Sequence, residues 1–163
     1  MNIRACTAAD LDAVQAIYAH HVGTGLGTFE EEPPAVVEMR QRFDALVARD
    51  FPYLIAEVDG QLAGFAYAGP FRPRAAYRHT CESSVYVAPG MQRRGAGRGL
   101  MLRLIADCQR VGQRQMLAVI GDSGNHASIG LHAALGFESV GVFKSVGFKF
   151  QRWVDVVLMQ RAL

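Results

Sequence analysis

A glycine- and arginine-rich segment between residues 92 and 99 is the part of the sequence best suited to chemistry. It reads Gln92-Arg93-Arg94-Gly95-Ala96-Gly97-Arg98-Gly99 and lies between a predicted strand and a predicted helix. The free N–H groups of a first helical turn and the helix dipole together bind anions. Glycines let a phosphate approach the backbone, and Arg93, Arg94 and Arg98 add positive charge. The segment therefore predicts a phosphate-binding site at a helix N-terminus.

Two common phosphate-binding motifs do not fit this segment. Gly90 and Gly95 have P-loop spacing, but Ala96-Gly97 stands where a P-loop needs lysine followed by serine or threonine. The glycines at 95, 97 and 99 are spaced G-x-G-x-G, whereas dinucleotide folds use G-x-G-x-x-G and an acidic strand end downstream. Neither motif is therefore indicated.

The surrounding hydrophobic pattern predicts an α/β fold with one mixed sheet and helices on both faces, in the order β-α-α-β-β-β-α-β-α-β-β. A parallel strand–helix–strand unit over 83–120 is expected to carry the ligand. Two prolines predict that 69–74 is a loop. The predicted strands after the N-terminal one are 52–58, 62–68, 83–87, 115–120, 137–146 and 153–159. The predicted helices run from about 8 to the glycines at 23–27, through 37–46, and over 95–111 and 125–135.

The composition describes one ordinary globular domain over residues 1–163, with a formal net charge of +2 at pH 7. That balance does not favour general nucleic-acid binding. Cys6, Cys81 and Cys108 are scattered and odd in number, so neither a disulfide framework nor structural zinc is expected. No signal peptide is recognisable, and no apolar run approaches the roughly 18 residues of a membrane span. We therefore expect a cytoplasmic protein without a membrane partner.

Three motifs in order resemble the GNAT superfamily of N-acetyltransferases. They are Gln92-x-x-Gly95-x-Gly97, then Asn125-x-x-Ser128, then the run from Leu131 to Phe137. Stretches at 66–70, 81–87, 118–120 and 152–156 resemble the phosphinothricin and methionine sulfoximine acetyltransferases, so the resemblance covers nearly the whole chain. It implies a GNAT-like fold with a twisted mixed sheet of about seven strands, and acetyl-CoA as cosubstrate.

The resemblance also implies which residues hold acetyl-CoA. Backbone groups of the strand before the glycine segment are expected to bind the pantetheine arm as an added strand, and one N–H there to polarise the thioester carbonyl. The 93–98 segment is expected to hold the pyrophosphate, and Asn125 to bind the pantetheine. The full expected set is Val85, Tyr86, Val87, Gln92, Arg93, Arg94, Gly95, Ala96, Gly97, Arg98, Asn125 and Ser128.

Two residues are candidates for proton transfer. Glu82 lies at the start of the strand that leads into the glycine segment, and it matches the glutamate that the subfamily uses as general base. His132 stands where many superfamily members carry a tyrosine that protonates the departing thiolate, although the subfamily also has histidine there. We leave open whether His132 is a general acid, a second base or a substrate contact.

Arginines in the 71–78 loop suit a substrate that carries a carboxylate. Arg72 and Arg74 flank Pro73, and a guanidinium binds a carboxylate in a bidentate manner. Phe29 resembles an apolar wall of the substrate pocket, and Glu82 and His132 are expected beside it. The resemblance thus implies acetylation of the α-amine of a small amino-acid analogue by a homodimer. Two alternatives stay open: a GNAT acting on another amine (a protein N-terminus, an aminoglycoside or a polyamine), or a non-catalytic acyl-CoA-binding module.

No metal site is expected. His20 and His21 are adjacent, so on a helix they diverge by about 100° and cannot chelate one ion together. His79 and His126 have no cysteine or carboxylate at ligand spacing. These four histidines therefore have no predicted function.

Overall fold

The computed structural model describes all 163 residues, which form seven strands and four α-helices in the predicted order. Two short 3₁₀ turns, Ala8–Asp10 and Ala75–Tyr77, interrupt the connections. The strands are β1 (Asn2–Ala5), β2 (Tyr53–Val58), β3 (Gln61–Pro70), β4 (Thr80–Val87), β5 (Gln115–Gly121), β6 (Glu138–Lys149) and β7 (Arg152–Ala162). The helices are α1 (Leu11–Thr24), α2 (Val36–Val47), α3 (Ala96–Arg110) and α4 (His126–Ala134).

The seven strands form one mixed sheet in the order β1-β2-β3-β4-β5-β7-β6. Only β4 and β5 are parallel, and α3 connects them. The predicted strand–helix–strand unit and the mixed α/β fold are therefore confirmed. The order also places the end of β4 and the start of α3 near the middle of the sheet, which is where a ligand is expected in such folds.

Helices cover both faces of the sheet, and each face has its own core. On one face α1 and α2 pack against β2 to β4, with Val14, Phe43 and Phe65 among the buried residues. On the other face α3 packs through Leu100 and Leu104. Successive side chains of a strand point to opposite faces, so odd-numbered residues of β4 face one core and even-numbered residues face the other.

Several strand boundaries differ from those predicted, and β4 begins at Thr80 rather than at 83. β3 continues to Pro70, so the prediction that 69–74 is entirely loop is wrong. Pro70 is tolerated because β2 begins only at Tyr53, and no neighbouring strand needs an N–H at that position. β6 and β7 are longer than predicted and meet at a two-residue turn, Phe150-Gln151, in which both residues have positive φ. None of the helices is long and apolar enough to cross a membrane.

Candidate active site

The sheet opens between β4 and β5. β4 pairs with β5 only over Thr80–Ser83, whereas its pairing with β3 continues to Val87. The Ala88 N–H donates to Ala63 O on the β3 side, so backbone groups of even-numbered residues here face β3. Val85 and Val87 therefore turn their N–H and C=O groups toward the gap that β5 has left.

A groove of about 670 Å³ occupies this gap. It runs between β4 and β5 over the glycine segment and is closed on one side by the start of α4. The structure brings all but one of the expected cofactor-binding residues into its walls, together with His132. Those residues are Val85, Tyr86, Val87, Gln92, Arg93, Gly95, Ala96, Gly97, Arg98, Asn125 and Ser128.

The glycine segment presents free backbone donors to the groove. Gly95 is the N-cap of α3 and has a left-handed φ of 83°, and Arg93 is also left-handed with φ of 62°. The first helical hydrogen bond runs from the Gly99 N–H to Gly95 O at 2.9 Å. The N–H groups of residues 96–98 therefore have no acceptor within the helix and can bind an anion.

Gly97, at the start of α3, lies close to two neighbouring side chains. A Cβ on Gly97 would lie 3.4 Å from Val87 Cγ2 and 3.5 Å from Leu131 Cδ2. The helix thus approaches both β4 and α4, and there is little room for a larger side chain where the groove meets α3.

The three arginines of the segment do not share one orientation. Arg93 and Arg98 line the groove and form no ion pair. Arg94 is the one expected cofactor-binding residue outside the groove lining, and its Nη1 lies 4.0 Å from Asp59 Oδ2. This pair is exposed, so it holds the Arg94 side chain only weakly.

Asn125 is the N-cap of α4. Its Oδ1 accepts from the Ser128 N–H at 3.2 Å and so caps the helix. Its Nδ2 has only a long contact, 3.5 Å to Gly121 O. The amide N–H groups of Asn125 are therefore the part of the side chain that can donate to a ligand.

His132 is buried in the groove wall, with 3% of its surface exposed. Its Nδ1 lies 2.8 Å from Ser128 O, which can only accept, so Nδ1 carries the hydrogen. Burial lowers the pKa of the ring, although the Ser128 carbonyl opposes this effect. The neutral ring therefore has a bare Nε2, and this buried atom has no hydrogen-bond partner in the protein. Nε2 can accept a hydrogen bond or a proton.

Glu82 lies at the closed end of the gap. It is paired between Gly69 on β3 and Leu117 on β5, one position before the last pairing of β4 with β5. Its half-buried side chain shares a sheet face with Ser84, which lines the groove two residues, or about 7 Å, further along. Burial raises the pKa of Glu82, and the nearby Arg72 guanidinium partly opposes the rise.

Of the expected substrate residues, only His132 lines the groove, and Glu82, Phe29 and the 72–74 segment do not. Arg72, Pro73 and Arg74 are exposed, and neither arginine side chain forms a hydrogen bond or ion pair; Arg72 stacks on Phe71 at 5.0 Å. Phe29 is 39% exposed and lies over Gly121 and Gly147, where a Cβ would come within 3.1 Å and 2.3 Å of its ring. Arg72 lies close enough to Glu82 to affect its pKa, but Phe29 sits at the far end of β5.

Several groove residues have no recognisable signal in the sequence. The resemblance implied an added strand beside β4, but it did not indicate which β5 residues form the wall. His21 was given no function, yet the fold brings α1 over the end of β4 and places His21 in the groove. The unpredicted lining residues are His21, Gly27, Ser83, Ser84, Met91, Ala118, Val119, Ile120, Ala127 and Leu131.

Comparison with known proteins decides the family. The model of the acetyltransferase (GNAT) domain family matches residues 3–158. The chain belongs to the GNAT acetyltransferase family. It is therefore an N-acetyltransferase, and the resemblance noted in its motifs is confirmed.

Individual relatives within the GNAT family are also similar over nearly their whole length. The chain is 56% identical to a phosphinothricin N-acetyltransferase of Alcaligenes faecalis, covering 99% of this chain and 82% of that protein. It is 39% identical to an L-methionine sulfoximine/L-methionine sulfone acetyltransferase of Pseudomonas paraeruginosa, covering 98% and 92%.

Two solved GNAT structures have nearly the same fold. A phosphinothricin acetyltransferase from Sinorhizobium meliloti, in complex with acetyl-CoA, has a TM-score of 0.96 and 42% identity over 99% of this chain and 88% of that one. A ribosomal-protein-alanine N-acetyltransferase from Brucella melitensis has a TM-score of 0.97 and 40% identity, with full coverage of both chains. The GNAT-like fold with helices on both faces of a mixed sheet is thus confirmed.

Proposed function

We propose that this GNAT domain uses acetyl-CoA to acetylate the α-amine of a small amino-acid analogue of the phosphinothricin or methionine sulfoximine type. The observation that carries the proposal is the gap between β4 and β5, with phosphate-binding groups at its open end and the Glu82 carboxylate at its closed end. Donor and acceptor meet in one ternary complex: the neutral amine attacks the thioester carbonyl, the amide C–N bond forms, the C–S bond breaks, and CoA leaves as a thiolate that takes a proton from water.

Backbone groups that face the groove can bind acetyl-CoA. The free N–H groups of residues 96–98, with Arg93 and Arg98, suit a pyrophosphate. The backbone groups of Val85 and Val87 that face the gap suit an extended amide-bearing arm, as in β-strand addition. Acetyl-CoA supplies the acyl thioester, and a β4 N–H polarises its carbonyl. Asn125 donates to the arm. Gln92 and Ser128 line the same groove, and Arg94 lies in the same glycine segment without lining it.

Glu82 acts as the general base. A primary ammonium must lose its proton before it can attack, and a positioned base contributes about 10²–10⁴-fold to the rate. The raised pKa of Glu82 suits this task, because the basicity of a carboxylate increases with its pKa. The position of Glu82 at the closed end of the gap supports proton transfer from the ammonium group to Glu82, directly or through one water.

Arg72 and Arg74 bind the carboxylate of the acceptor. Neither guanidinium forms a hydrogen bond or an ion pair, although Arg72 stacks on Phe71, and Arg72 lies near Glu82. A substrate whose amine faces Glu82 can therefore place its carboxylate against this loop, which Pro73 stiffens. The same basic loop disfavours polycationic acceptors such as polyamines and aminoglycosides.

His132 acts as a hydrogen-bond acceptor in the resting enzyme. With the hydrogen on Nδ1, the neutral ring has nothing to donate from Nε2. This tautomer supports a substrate contact or second base rather than a general acid that is ready to protonate the thiolate. His132→Gln should then lower the rate, but any decline of the rate at alkaline pH should be the same in this variant as in wild type.

We further propose a homodimer in the cytoplasm. The β6–β7 hairpin at the edge of the sheet exposes Phe143, Val146, Phe148 and Trp153, and a group of exposed apolar side chains favours association. Three free, buried cysteines fit a reducing compartment. Light scattering tests the dimer, with about twice the chain mass of 17.8 kDa expected and a monomer contradicting it.

The alternative acceptor is a protein N-terminus, which the name of the Brucella melitensis neighbour favours. A coupled assay of CoA release over a panel of amines distinguishes the two acceptors. We expect turnover with phosphinothricin, methionine sulfoximine and methionine sulfone, and mass spectrometry should place the acetyl group on the α-amine. Faster turnover with an alanine-terminated peptide would replace the proposal, and no turnover with any amine would indicate an acyl-CoA-binding module.

A further inference from the structure

His21 makes the one side-chain hydrogen bond to a backbone group on the free edge of β4. It lies in the last turn of α1, and its Nε2 is 2.9 Å from Val87 O. The carbonyl can only accept, so Nε2 carries the hydrogen. Burial lowers the pKa of His21, but both the neutral ring in this tautomer and the charged ring donate from Nε2. The contact therefore does not depend on protonation.

The carbonyl that His21 binds is one that β5 has left. Val87 is the last residue of β4, and its backbone faces the gap because pairing with β5 stops at Ser83. In an unbroken parallel pair, a neighbouring strand would donate to this oxygen. A side chain from α1 does so instead, and the carbonyl keeps a second lone pair for another donor.

Aromatic neighbours fix the orientation of the imidazole. Its ring centroid is 5.3 Å from that of Tyr86 at a tilt of 54°, and Tyr86 packs edge-on against Tyr18 at 5.1 Å. The His21 side chain is therefore held between α1 and β4, which limits how far the end of β4 can rotate. Such a fixed donor reduces the conformational freedom lost when a ligand binds.

We propose that His21 is a positioning residue for the acyl-donor arm. It aligns the terminal carbonyl of β4 so that an extended, amide-bearing chain can pair with Val85 and Val87 as an added strand. The inference rests on the proposed acetyl-CoA groove and adds to it a side chain from α1, an element that the glycine segment and the motifs do not include.

A series of variants at position 21 tests this role. His21→Leu removes the donor, and His21→Asn keeps a polar side chain that is too short to reach Val87 O. His21→Gln places an N–H near the position of Nε2. His20→Leu is the matched control: His20 is exposed and makes no side-chain hydrogen bond, and its ring meets His21 edge-on at 5.7 Å, so this variant removes an aromatic neighbour of His21 but keeps the hydrogen bond to Val87.

Calorimetry with two probes separates the arm from the phosphates. We expect CoA to bind about tenfold more weakly to His21→Leu and His21→Asn, and within about threefold of wild type to His21→Gln and His20→Leu. Adenosine 3′,5′-bisphosphate lacks the pantetheine arm, and its affinity should be the same in all five proteins.

The outcomes are distinct for the inference and for the proposed function. Equal CoA affinity in wild type, His21→Asn and His21→Leu would overturn the role of His21 while leaving the groove assignment intact. A parallel loss of both probes would also overturn it, because that result indicates general distortion. Failure of wild type to bind CoA would instead remove the proposed function. If His21→Leu does not fold, the comparison of His21→Asn with His21→Gln gives the same decision.

Discussion

The two ends of the candidate site are built in different ways. The groove end consists largely of backbone: a strand edge that its neighbour has left, three free N–H groups and a left-handed glycine. The acceptor end consists of side chains, namely Glu82 and the exposed, unpaired Arg72 and Arg74. Backbone donors are fixed by the fold before a ligand arrives, whereas side chains on an exposed segment can change without disturbing the sheet. The donor should therefore be common to related folds, and the acceptor should be set by a few side chains.

The largest effect is expected from a change at the groove end. Gly97→Glu places a carboxylate beside the free N–H groups and against Val87 and Leu131. Repulsion of the pyrophosphate should weaken acetyl-CoA binding by about 100-fold or more. Calorimetry measures this loss, with Gly130→Glu as the control because a side chain on that exposed glycine meets nothing within 4 Å. Unchanged affinity in Gly97→Glu would remove the phosphate assignment.

A change of similar size is expected in the rate at the acceptor end. Glu82→Gln keeps the shape but cannot take a proton, so kcat should fall about 10²-fold at neutral pH while acetyl-CoA affinity persists. The deficit should shrink at high pH, where the amine is already neutral. A variant profile parallel to that of wild type would contradict the base role.

The arginines should affect the acceptor alone. Loss of a charge-assisted partner costs about 1.5–3 kcal/mol, so Arg72→Ala or Arg74→Ala should raise the KM for methionine sulfoximine about 10- to 100-fold. The KM for acetyl-CoA should not change. Arg78→Ala is the matched control, since Arg78 is exposed in the same segment and its guanidinium contacts only Ala75 O. An equal effect in all three variants would mean that only the net charge matters.

The smallest effect concerns stability. Because burial raises the pKa of Glu82, its ionised form costs folding free energy at any pH above that raised value. Glu82→Gln should therefore unfold roughly 1–3 °C higher than wild type at neutral pH. The difference should decrease as pH falls through the raised pKa and vanish below the ordinary carboxyl pKa, where the side chain is protonated in both states. Thermal melts at several pH values measure it, and a constant difference would contradict the assigned cause.

The same division explains how much could be predicted from the sequence. The glycine segment, the start of α3 and the order of elements follow from local spacing, and the structure has them as expected. His21 could not be predicted, because its contact with Val87 depends on how α1 crosses the sheet. The β6–β7 turn was also missed, since Phe150 and Gln151 are not residues that usually signal a turn with positive φ.

The structure does not bring the predicted substrate residues together. Phe29 packs over Gly121 and Gly147, Arg72 and Arg74 are exposed, and none of the three lines the groove. Side-chain sites of this kind take their final shape with the substrate bound, and residue types alone do not fix it.

The most direct test of the central claim changes the substrate instead of the protein. Initial rates of acetyl transfer are compared for methionine sulfoximine and its carboxamide, which keeps the amine and loses the carboxylate. We expect wild type to prefer the acid about 10- to 100-fold in kcat/KM. This preference should shrink in the variant that lacks the arginine responsible for binding the carboxylate. Equal rates for acid and amide in wild type would contradict the amino-acid assignment and favour another amine.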